Sequence, residues 1–189
     1  MQPYILASAS PRRREICDLL GFTYEVIPAQ REETLNPALP LEEGVLAIAR
    51  AKAEEVAAAH PSRIVIGADT VVAVDAGGTG ECVLGKPADA AQAAEMLRLL
   101  QGRRHRVLTA VWVAAPGGGS GFTEQTQVEF LPMSEEDIAA YLATGEPLDK
   151  AGAYGIQGYG MRYIRGICGD FYTVMGLPGA RLRLFMKNF

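Results

Sequence analysis

The chain has 189 residues, of which 49% are hydrophobic, and a formal net charge of −4. That hydrophobic content is enough for a folded core and excludes a disordered chain, and the length fits one large domain or two small lobes that share a sheet. The negative charge argues against a general nucleic-acid binder, which would be basic overall.

Membrane insertion and cysteine chemistry are not indicated by the sequence either. No apolar run approaches the ~18–20 residues of a membrane span, and the first residues lack a basic stretch followed by an apolar one. We therefore expect a cytoplasmic protein with no nucleic acid and no membrane among its partners. The three cysteines are far apart and form no C-x-x-C pattern, which argues against structural disulfides and cysteine zinc sites.

The first elements are a short strand and a helix. Residues 4–7 are largely apolar and predict a buried strand, and the small residues at 8–10 predict a turn. Ser10 is a candidate N-cap, Pro11 suits the first helical position, and Gly21 lies just past the expected end. The sequence therefore predicts a helix that starts directly after the turn.

Three consecutive arginines, Arg12, Arg13 and Arg14, fall in the first turn of this helix. A helix N-terminus carries partial positive charge and unpaired N–H groups, so it favours anions and disfavours cations. Because guanidinium groups match phosphate oxygens, the segment, with Ser8 and Ser10 before it, is a candidate site for a multiply charged anion. The alternative is a solvated or nucleic-acid-binding arginine face, and spacing alone gives both equal weight.

A second strand and a long helix come next. Residues 23–28 alternate in polarity and end at a proline, which predicts a strand, and residues 29–40 predict a loop with an acidic patch. Residues 41–59 have the apolar spacing of an amphipathic helix. Lys52 lies on this helix, and the periodicity does not distinguish it from an ordinary solvated lysine.

The strongest strand signal covers residues 63–75, which are apolar at nearly every position. Asp69 interrupts this run. A carboxylate there costs free energy unless it is paired, bound to a metal or facing a cleft. Because the apolar run continues past Asp69, we favour a functional cleft over an exposed strand end or an aspartate satisfied by backbone N–H groups.

A hairpin arm and a helix complete the first half. A glycine-rich turn at 76–80 leads to a returning strand at 81–87, in which Lys86 precedes a proline and is therefore extended. Residues 88–101 predict a helix closed by Gly102.

The second half begins with a long hairpin. Strands are predicted at 106–115 and 122–133, with a glycine-rich turn at 116–121 between them. The hairpin has few candidate catalytic groups, so it is expected to serve as sheet or as an interaction surface. Ser134 then opens a helix with a capping-box pattern.

The segment 146–160 is rich in glycine and contains Lys150 and Gln157. Glycines among tyrosines suggest ordered backbone that approaches a ligand closely, and a flexible loop is the alternative. Residues 164–175 predict further strand around a Gly-Asp turn, and residues 179–187 predict a C-terminal helix.

The polar residues suit phosphoryl chemistry. Cations neutralise phosphate oxygens, carboxylates hold Mg²⁺ or Mn²⁺, and one carboxylate can activate water. Neither His60 nor His105 has an obvious Ser or Cys partner, which argues against a catalytic triad. Neither a P-loop nor a dinucleotide fingerprint is present, so a P-loop NTPase and a Rossmann dehydrogenase are both disfavoured.

Four segments together carry a family resemblance: Ser-Ala-Ser-Pro-Arg-Arg at 8–13, Gly-Ala-Asp-Thr-Val-Val at 67–72, Gly-Lys-Pro at 85–87 and Asp-Lys-Ala-Gly-Ala-Tyr-Gly-Ile-Gln-Gly at 149–158. In this order they resemble the Maf family of nucleoside triphosphate pyrophosphatases. The resemblance implies a single Maf/ITPase-like α/β domain over residues 1–189, two-lobed, with a mixed sheet flanked by helices and a central cleft. It also implies a homodimer, a divalent metal cation (Mg²⁺ or Mn²⁺) and hydrolysis of a nucleoside triphosphate between its α- and β-phosphates.

The resemblance also implies a role for each matched residue. Asp69 matches the proton acceptor, and the implied metal ligands are Glu33 and Asp69. The implied substrate-binding residues are Ser8, Ser10, Arg12, Arg13, Lys52, Thr70, Lys86, Lys150 and Gln157. Among these, Arg12, Thr70 and Gln157 match positions associated with substrate choice, and the Ala-Tyr-Gly-Ile-Gln-Gly sequence looks like the branch that acts on dTTP and UTP.

The expected function is therefore pyrophosphate release from dTTP and UTP. Two alternatives stay open at this point: an enzyme that removes modified nucleotides, and a non-catalytic nucleotide-sensing regulator, for instance of cell division. Pyrophosphate release by the purified protein distinguishes an enzyme from a sensor.

Overall fold

The computed structural model describes residues 2–31, 34–77 and 80–189. Its strands are β1 (Tyr4–Leu6), β2 (Tyr24–Val26), β3 (Val65–Asp75), β4 (Glu81–Leu84), β5 (Arg104–Ala115), β6 (Gly118–Phe130) and β7 (Ile164–Cys168). Its helices are α1 (Pro11–Leu19), α2 (Leu41–Ala59), α3 (Ala90–Leu100), α4 (Glu135–Leu142), α5 (Phe171–Met175) and α6 (Gly179–Phe185). Among the described helices, none has the length and apolar character needed to span a membrane.

The strands form one mixed sheet in the order β2-β1-β3-β5-β6-β7, and β4 pairs with β3 outside this path. β1 is parallel to both β2 and β3, whereas β4 is antiparallel to β3 and β7 is antiparallel to β6. The parallel pairs follow from the helical crossovers through α1 and α2, whereas only five residues separate β3 from β4, a length that suits an antiparallel pair. The predicted α/β class, a mixed sheet flanked by helices, is confirmed.

The chain divides into two compact units. The first unit comprises Met1–Asp69, Thr109–Glu124 and Gly176–Phe189, and the second comprises Thr70–Leu108 and Gln125–Met175. Each unit has apolar side chains packed within it. In the first unit, one cluster joins β1, α2 and the start of β3 through Ile5, Ala7, Ala53, Val56, Val65 and Ala114. In the second, a larger cluster surrounds α3 and includes Leu97, Leu100, Val107, Phe130 and Tyr154.

Helix α2 has the bounds that its apolar spacing predicts, Leu41–Ala59. The capping box predicted at Ser134 is also confirmed, since its hydroxyl accepts from the Asp137 N–H at 3.2 Å and the Asp137 carboxylate accepts from the Ser134 N–H at 3.0 Å. Both elements depend on short-range sequence patterns that no distant contact overrides.

The predicted turn at 116–121 is too long, because β6 begins at Gly118. Gly119 and Gly121 are strand residues that lie against the Trp112 side chain. A Cβ at Gly119 would come within 2.7 Å of Trp112 Nε1, and one at Gly121 would collide with the Val111 carbonyl. These glycines therefore permit close packing on β5. The glycine-rich sequence predicts a turn and does not indicate this contact.

The strand predicted at 164–175 is wrong for its second half, because Phe171–Met175 is helix α5. Asp170 caps this helix. Its Oδ2 atom accepts from the Thr173 N–H at 2.7 Å and from the Thr173 hydroxyl at 2.8 Å. This local cap outweighs the strand preference of the apolar and aromatic residues that follow.

His105 is buried in the core of the second unit and is 2% exposed. Its Nε2 atom lies 2.7 Å from the Tyr154 hydroxyl, and its ring packs edge-on against Phe130 and Tyr154. Its Nδ1 atom is buried without a hydrogen-bond partner in the described part of the chain. Burial lowers the pKa of His105 to about 4, because the charged imidazolium is poorly solvated there.

We expect His105 to make the protein acid-sensitive. An unfolded histidine has a pKa of about 6.5, so between pH 6.5 and pH 4 the unfolded state binds the extra proton and the free energy of unfolding falls as pH falls, by about 3 kcal/mol in total. His105→Gln keeps a polar partner for Tyr154 but does not titrate. Urea unfolding at pH 7.5 and pH 5 should show a smaller loss for the variant, and identical losses would contradict this assignment.

Candidate active site

The turn between β1 and α1 is organised by Ser8 and Arg13. Arg13 Nη1 donates to the Ser8 hydroxyl at 3.0 Å, and Arg13 Nε donates to the Gly176 carbonyl at 2.8 Å. The Ser8 hydroxyl also accepts weakly from the Ser10 N–H at 3.3 Å. Arg13 therefore holds the turn in addition to bringing positive charge to it.

Ser10 lies at the N-cap of α1 as predicted, but its side chain makes no capping hydrogen bond. Pro11 takes the first helical position, and the first turn contains no acidic residue. Arg12 and Arg13 are half-buried, whereas Arg14 is exposed. The helix dipole and the arginines thus add positive potential at the same end of α1.

Lys52 and Asp69 form a buried ion pair. Lys52 Nζ lies 2.7 Å from Asp69 Oδ1, and the two side chains are only 8% and 6% exposed. Lys52 is therefore not an ordinary solvated lysine, and the carboxylate in the apolar strand is paired. Both charged groups are shielded from water. Removing either partner would therefore leave an uncompensated buried charge and destabilise the fold.

Gly67 allows Lys52 to reach Asp69. A Cβ at Gly67 would collide with the Ala49 carbonyl and would lie 2.8 Å from the Ala53 N atom. The backbone of α2 therefore lies directly against β3 at this glycine, in the turn of the helix that contains Lys52. This role was not predicted from the sequence, although a glycine inside a strand is a known signal for close backbone approach.

The parallel register of β1 and β3 places the turn at Ser8 near this ion pair in the fold. Leu6 pairs with Ile66, and the Ala7 N–H donates to the Ile66 carbonyl at 2.8 Å. The carboxyl end of β1 therefore lies beside β3 shortly before Asp69. Ligands of open α/β sheets bind outside the carboxyl ends of parallel strands, so this end of the first unit has the geometry of a binding site.

The predicted residues of the second unit lie on β3 and in two loops. Thr70 is half-buried on β3. The loops containing Lys86 and Lys150 are joined where the Gly152 N–H donates to the Gly85 carbonyl at 3.0 Å.

The two lysines of this unit differ in their surroundings. Lys86 is exposed and has no hydrogen-bond partner among the described residues. Lys150 donates to the Glu146 carbonyl at 2.8 Å and to Asp149 Oδ1 at 2.6 Å. Lys86 is therefore available to a ligand, whereas Lys150 also holds its own loop.

Gln157 is half-buried, and within the described ranges its amide makes no hydrogen bond. The surrounding segment is ordered, as predicted, and contains short 3-10 helices at Ala151–Ala153 and Gly158–Tyr163. Glu146 was not predicted from the sequence, and its carboxylate accepts hydrogen bonds from Tyr141, Tyr159 and Gly160. The available signal was an acid at the first position of a glycine-rich segment.

The structure describes one of the two predicted metal ligands, Asp69. Glu33 lies outside the described residues, and within those residues no cluster of three metal-ligating side chains occurs. Asp69 supplies a carboxylate, and its Oδ1 atom lies 2.7 Å from Lys52 Nζ. Because Mg²⁺ commonly binds one or two carboxylates together with phosphate oxygens and water, the donor set fits a cation held jointly with a triphosphate.

A model of the Maf family, described as Maf-like protein, matches residues 3–189. This chain belongs to the Maf family. The resemblance expected from the four sequence motifs is therefore confirmed over nearly the whole chain.

Maf-family relatives of the chain match it along nearly its full length. The dTTP/UTP pyrophosphatase of Bacillus velezensis is 50% identical over 185 residues, which cover 98% of this chain and 95% of the relative. The dTTP/UTP pyrophosphatase of Bacillus pumilus is 45% identical over 189 residues, which cover 100% of this chain and 97% of the relative. The solved Ham1 protein of Staphylococcus aureus is similar in fold, with a TM-score of 0.55 at 16% identity over 99% of each chain.

The ion pair predicts a large stability loss in single variants. Asp69→Asn leaves a buried ammonium, and Lys52→Met leaves a buried carboxylate, so each should lower the free energy of unfolding by about 3–5 kcal/mol. Glu54→Gln breaks an exposed pair with Arg50 on the same helix, and it should cost only about 0.3–0.5 kcal/mol. Urea unfolding measures all three, and equal losses would show that the Lys52–Asp69 pair is not effectively buried.

Proposed function

We propose that this protein hydrolyses dTTP and UTP to the nucleoside monophosphate and pyrophosphate. The observation that carries the proposal is the full-length similarity to dTTP/UTP pyrophosphatases, at 45–50% identity over 98–100% of the chain. The acidic, cationic and amide groups described above supply the chemistry that this reaction needs.

Asp69 is the proposed general base. Water adds to a phosphorus atom of the α–β phosphoanhydride, its proton passes to the Asp69 carboxylate, and the bridging P–O bond breaks to release pyrophosphate. The ammonium of Lys52 holds Oδ1 of this carboxylate at 2.7 Å, which fixes its direction. The Lys52–Asp69 contact supports a base with a defined orientation.

Positive side chains are proposed to bind the triphosphate. Arg12 and Arg13 add charge at the N-terminus of α1, and the exposed ammonium of Lys86 can contact phosphate oxygens directly. Lys150 and Ser8 are proposed to bind substrate as well, and their internal hydrogen bonds support a second role in ordering their loops.

Asp69 and Glu33 are proposed to hold a divalent cation, Mg²⁺ or Mn²⁺. When bound, such a cation neutralises phosphate oxygens and the developing negative charge. The carboxylate chemistry of Asp69 supports this proposal, and Glu33 enters it through the family resemblance.

Gln157 is proposed to select the base, with Thr70 and Arg12 also contributing to substrate choice. A primary amide can donate to O4 and accept from N3–H of uracil or thymine, whereas cytosine presents a donor in place of O4. The half-buried amide, which makes no hydrogen bond to the described residues, supports this role. We also propose that the enzyme is a cytoplasmic homodimer, as the sequence and the resemblance imply.

The test of the reaction is product identification. Purified protein with Mg²⁺ or Mn²⁺ should release pyrophosphate and monophosphate from dTTP and UTP in a screen of common and modified nucleoside triphosphates. Asp69→Asn should lower kcat by ~10²–10⁴-fold, because an amide cannot take the proton. Glu54→Gln, which changes an exposed carboxylate to an amide on α2 outside the proposed site, is the matched control.

Circular dichroism at the assay temperature establishes that each variant is folded. Binding of UTP by the wild-type protein without pyrophosphate release would contradict the proposed enzyme and favour a nucleotide sensor. Retention of more than about a tenth of the wild-type rate by Asp69→Asn would reject Asp69 as the base, because loss of a base typically costs far more.

Base selection is tested by Gln157→Glu. A carboxylate accepts hydrogen bonds but cannot donate to O4, so the ratio of kcat/KM for UTP over CTP should fall about tenfold, as expected for one lost hydrogen bond. Hydrolysis itself should continue. An unchanged ratio would mean that Gln157 does not read the base, and exposed Gln92, changed to Glu, is a matched control.

A further inference from the structure

We propose that Glu146 is a positioning residue for base selection, because its carboxylate fixes the backbone on both sides of Gln157. This inference rests on the proposed function, in which the Gln157 amide reads the pyrimidine. Glu146 does not need to touch the substrate. It acts by holding the segment from which Gln157 projects.

The carboxylate binds the residues that follow Gln157. Glu146 Oε2 accepts from the Tyr159 N–H at 2.8 Å, and Oε1 accepts from the Gly160 N–H at 3.0 Å. These consecutive N–H groups lie in the first turn of the 3-10 helix Gly158–Tyr163. They have no partners within a helix, so an ionised carboxylate satisfies them with charge-assisted hydrogen bonds.

The same carboxylate reaches the residues that precede Gln157 through Tyr141. The Tyr141 hydroxyl donates to Glu146 Oε1 at 2.7 Å and accepts from the Gly155 N–H at 3.0 Å. Burial and the hydrogen bond to Glu146 raise the pKa of Tyr141, so the hydroxyl keeps its proton at neutral pH. Gly155 and Tyr159, two residues to either side of Gln157, are thus tied to one carboxylate.

The glycines beside Gln157 are required by this arrangement. Gly158 has a φ of +72°, and a Cβ there would collide with Glu146 Oε2. A Cβ at Gly155 would lie 3.0 Å from the Gln157 carbonyl and 3.1 Å from Glu146 Oε1. The chain therefore wraps closely around the carboxylate at the residues that flank Gln157.

Glu146 is itself held in place. Its N–H donates to the Thr144 hydroxyl at 3.2 Å, and its carbonyl accepts from Lys150 Nζ at 2.8 Å. The Thr144 contact thus connects Glu146 to the residues that directly follow α4. A side chain on a fixed backbone has less freedom to lose when a base binds, so this network reduces the entropy cost of recognition.

Glu146→Gln tests the proposal, since its amide group is neutral and must turn a donor toward at least one of the three donors now bound. We expect the ratio of kcat/KM for UTP over CTP to fall about tenfold, the effect of one reading hydrogen bond no longer held in place. A merely structural role would lower both values together. Glu135→Gln is the matched control, because that carboxylate is exposed on α4 and, among the described residues, its hydrogen bonds are to Arg98.

Hydrogen exchange provides a readout independent of turnover. The Tyr159 and Gly160 amides should exchange faster in Glu146→Gln than in the wild-type protein and the control. If the folded variant keeps the wild-type UTP over CTP ratio, the proposal is wrong, whether or not these amides lose protection.

Tyr141→Phe extends the test if Glu146→Gln does not fold. It removes only the hydroxyl that joins Glu146 to Gly155, so the ratio should fall in the same direction, and an unchanged ratio would overturn the proposal. If the wild-type protein releases no pyrophosphate from dTTP or UTP, the proposed function fails, and the ratio of UTP and CTP dissociation constants then tests the positioning role by the same criterion.

Discussion

The buried ion pair between Lys52 and Asp69 is the constraint on which the first unit depends. Asp69 lies in the most apolar strand of the chain, where an unpaired carboxylate would be costly. Lys52 reaches it because Gly67 lets the backbone of α2 lie directly against β3. A buried ion pair contributes little to stability compared with apolar packing, so its presence in this strand fits a site that needs a carboxylate for chemistry.

The second unit stabilises the half-buried carboxylate of Glu146 in a different way. Glu146 is surrounded by neutral donors, two backbone N–H groups and the Tyr141 hydroxyl, and no cation contacts its carboxylate among the described residues. The donors come from elements that are separated in sequence. A carboxylate satisfied in this way orders backbone, whereas the charged contact from Lys52 holds Asp69 Oδ1 in place. The roles proposed for the two acids differ accordingly, with structural support at Glu146 and proton transfer at Asp69.

Positive charge is also used in two ways. Arg13 and Lys150 donate to backbone carbonyls of their own units, and so they shape the loops in which they lie. Lys86 is exposed and makes no such contact with the described residues. The proposed binding of a triphosphate requires cations that order the loops as well as cations that contact phosphate, because binding is stronger when the charges are already in position.

The sequence by itself determined the elements whose signals are local and the residues that belong to family motifs. The apolar spacing of α2 and the capping box at Ser134 were sufficient because helix periodicity and capping act within a few residues. The local cap of α5 at Asp170 was equally available, but the apolar and aromatic residues after it favoured a strand. The proposed roles of Asp69 and Gln157 came from motif resemblance, and Glu33 lies outside the described residues.

Only the tertiary structure decided which residues meet. Lys52 is 17 residues from Asp69, and Glu146 is 13 and 14 residues from its backbone donors, so no periodicity joins them. The strand order and the packing of Gly119 and Gly121 on Trp112 are likewise contacts between separate elements. Alternating polarity indicates which face of a strand is buried. It does not indicate which strand lies next to it, because strand pairing depends on packing across the whole sheet.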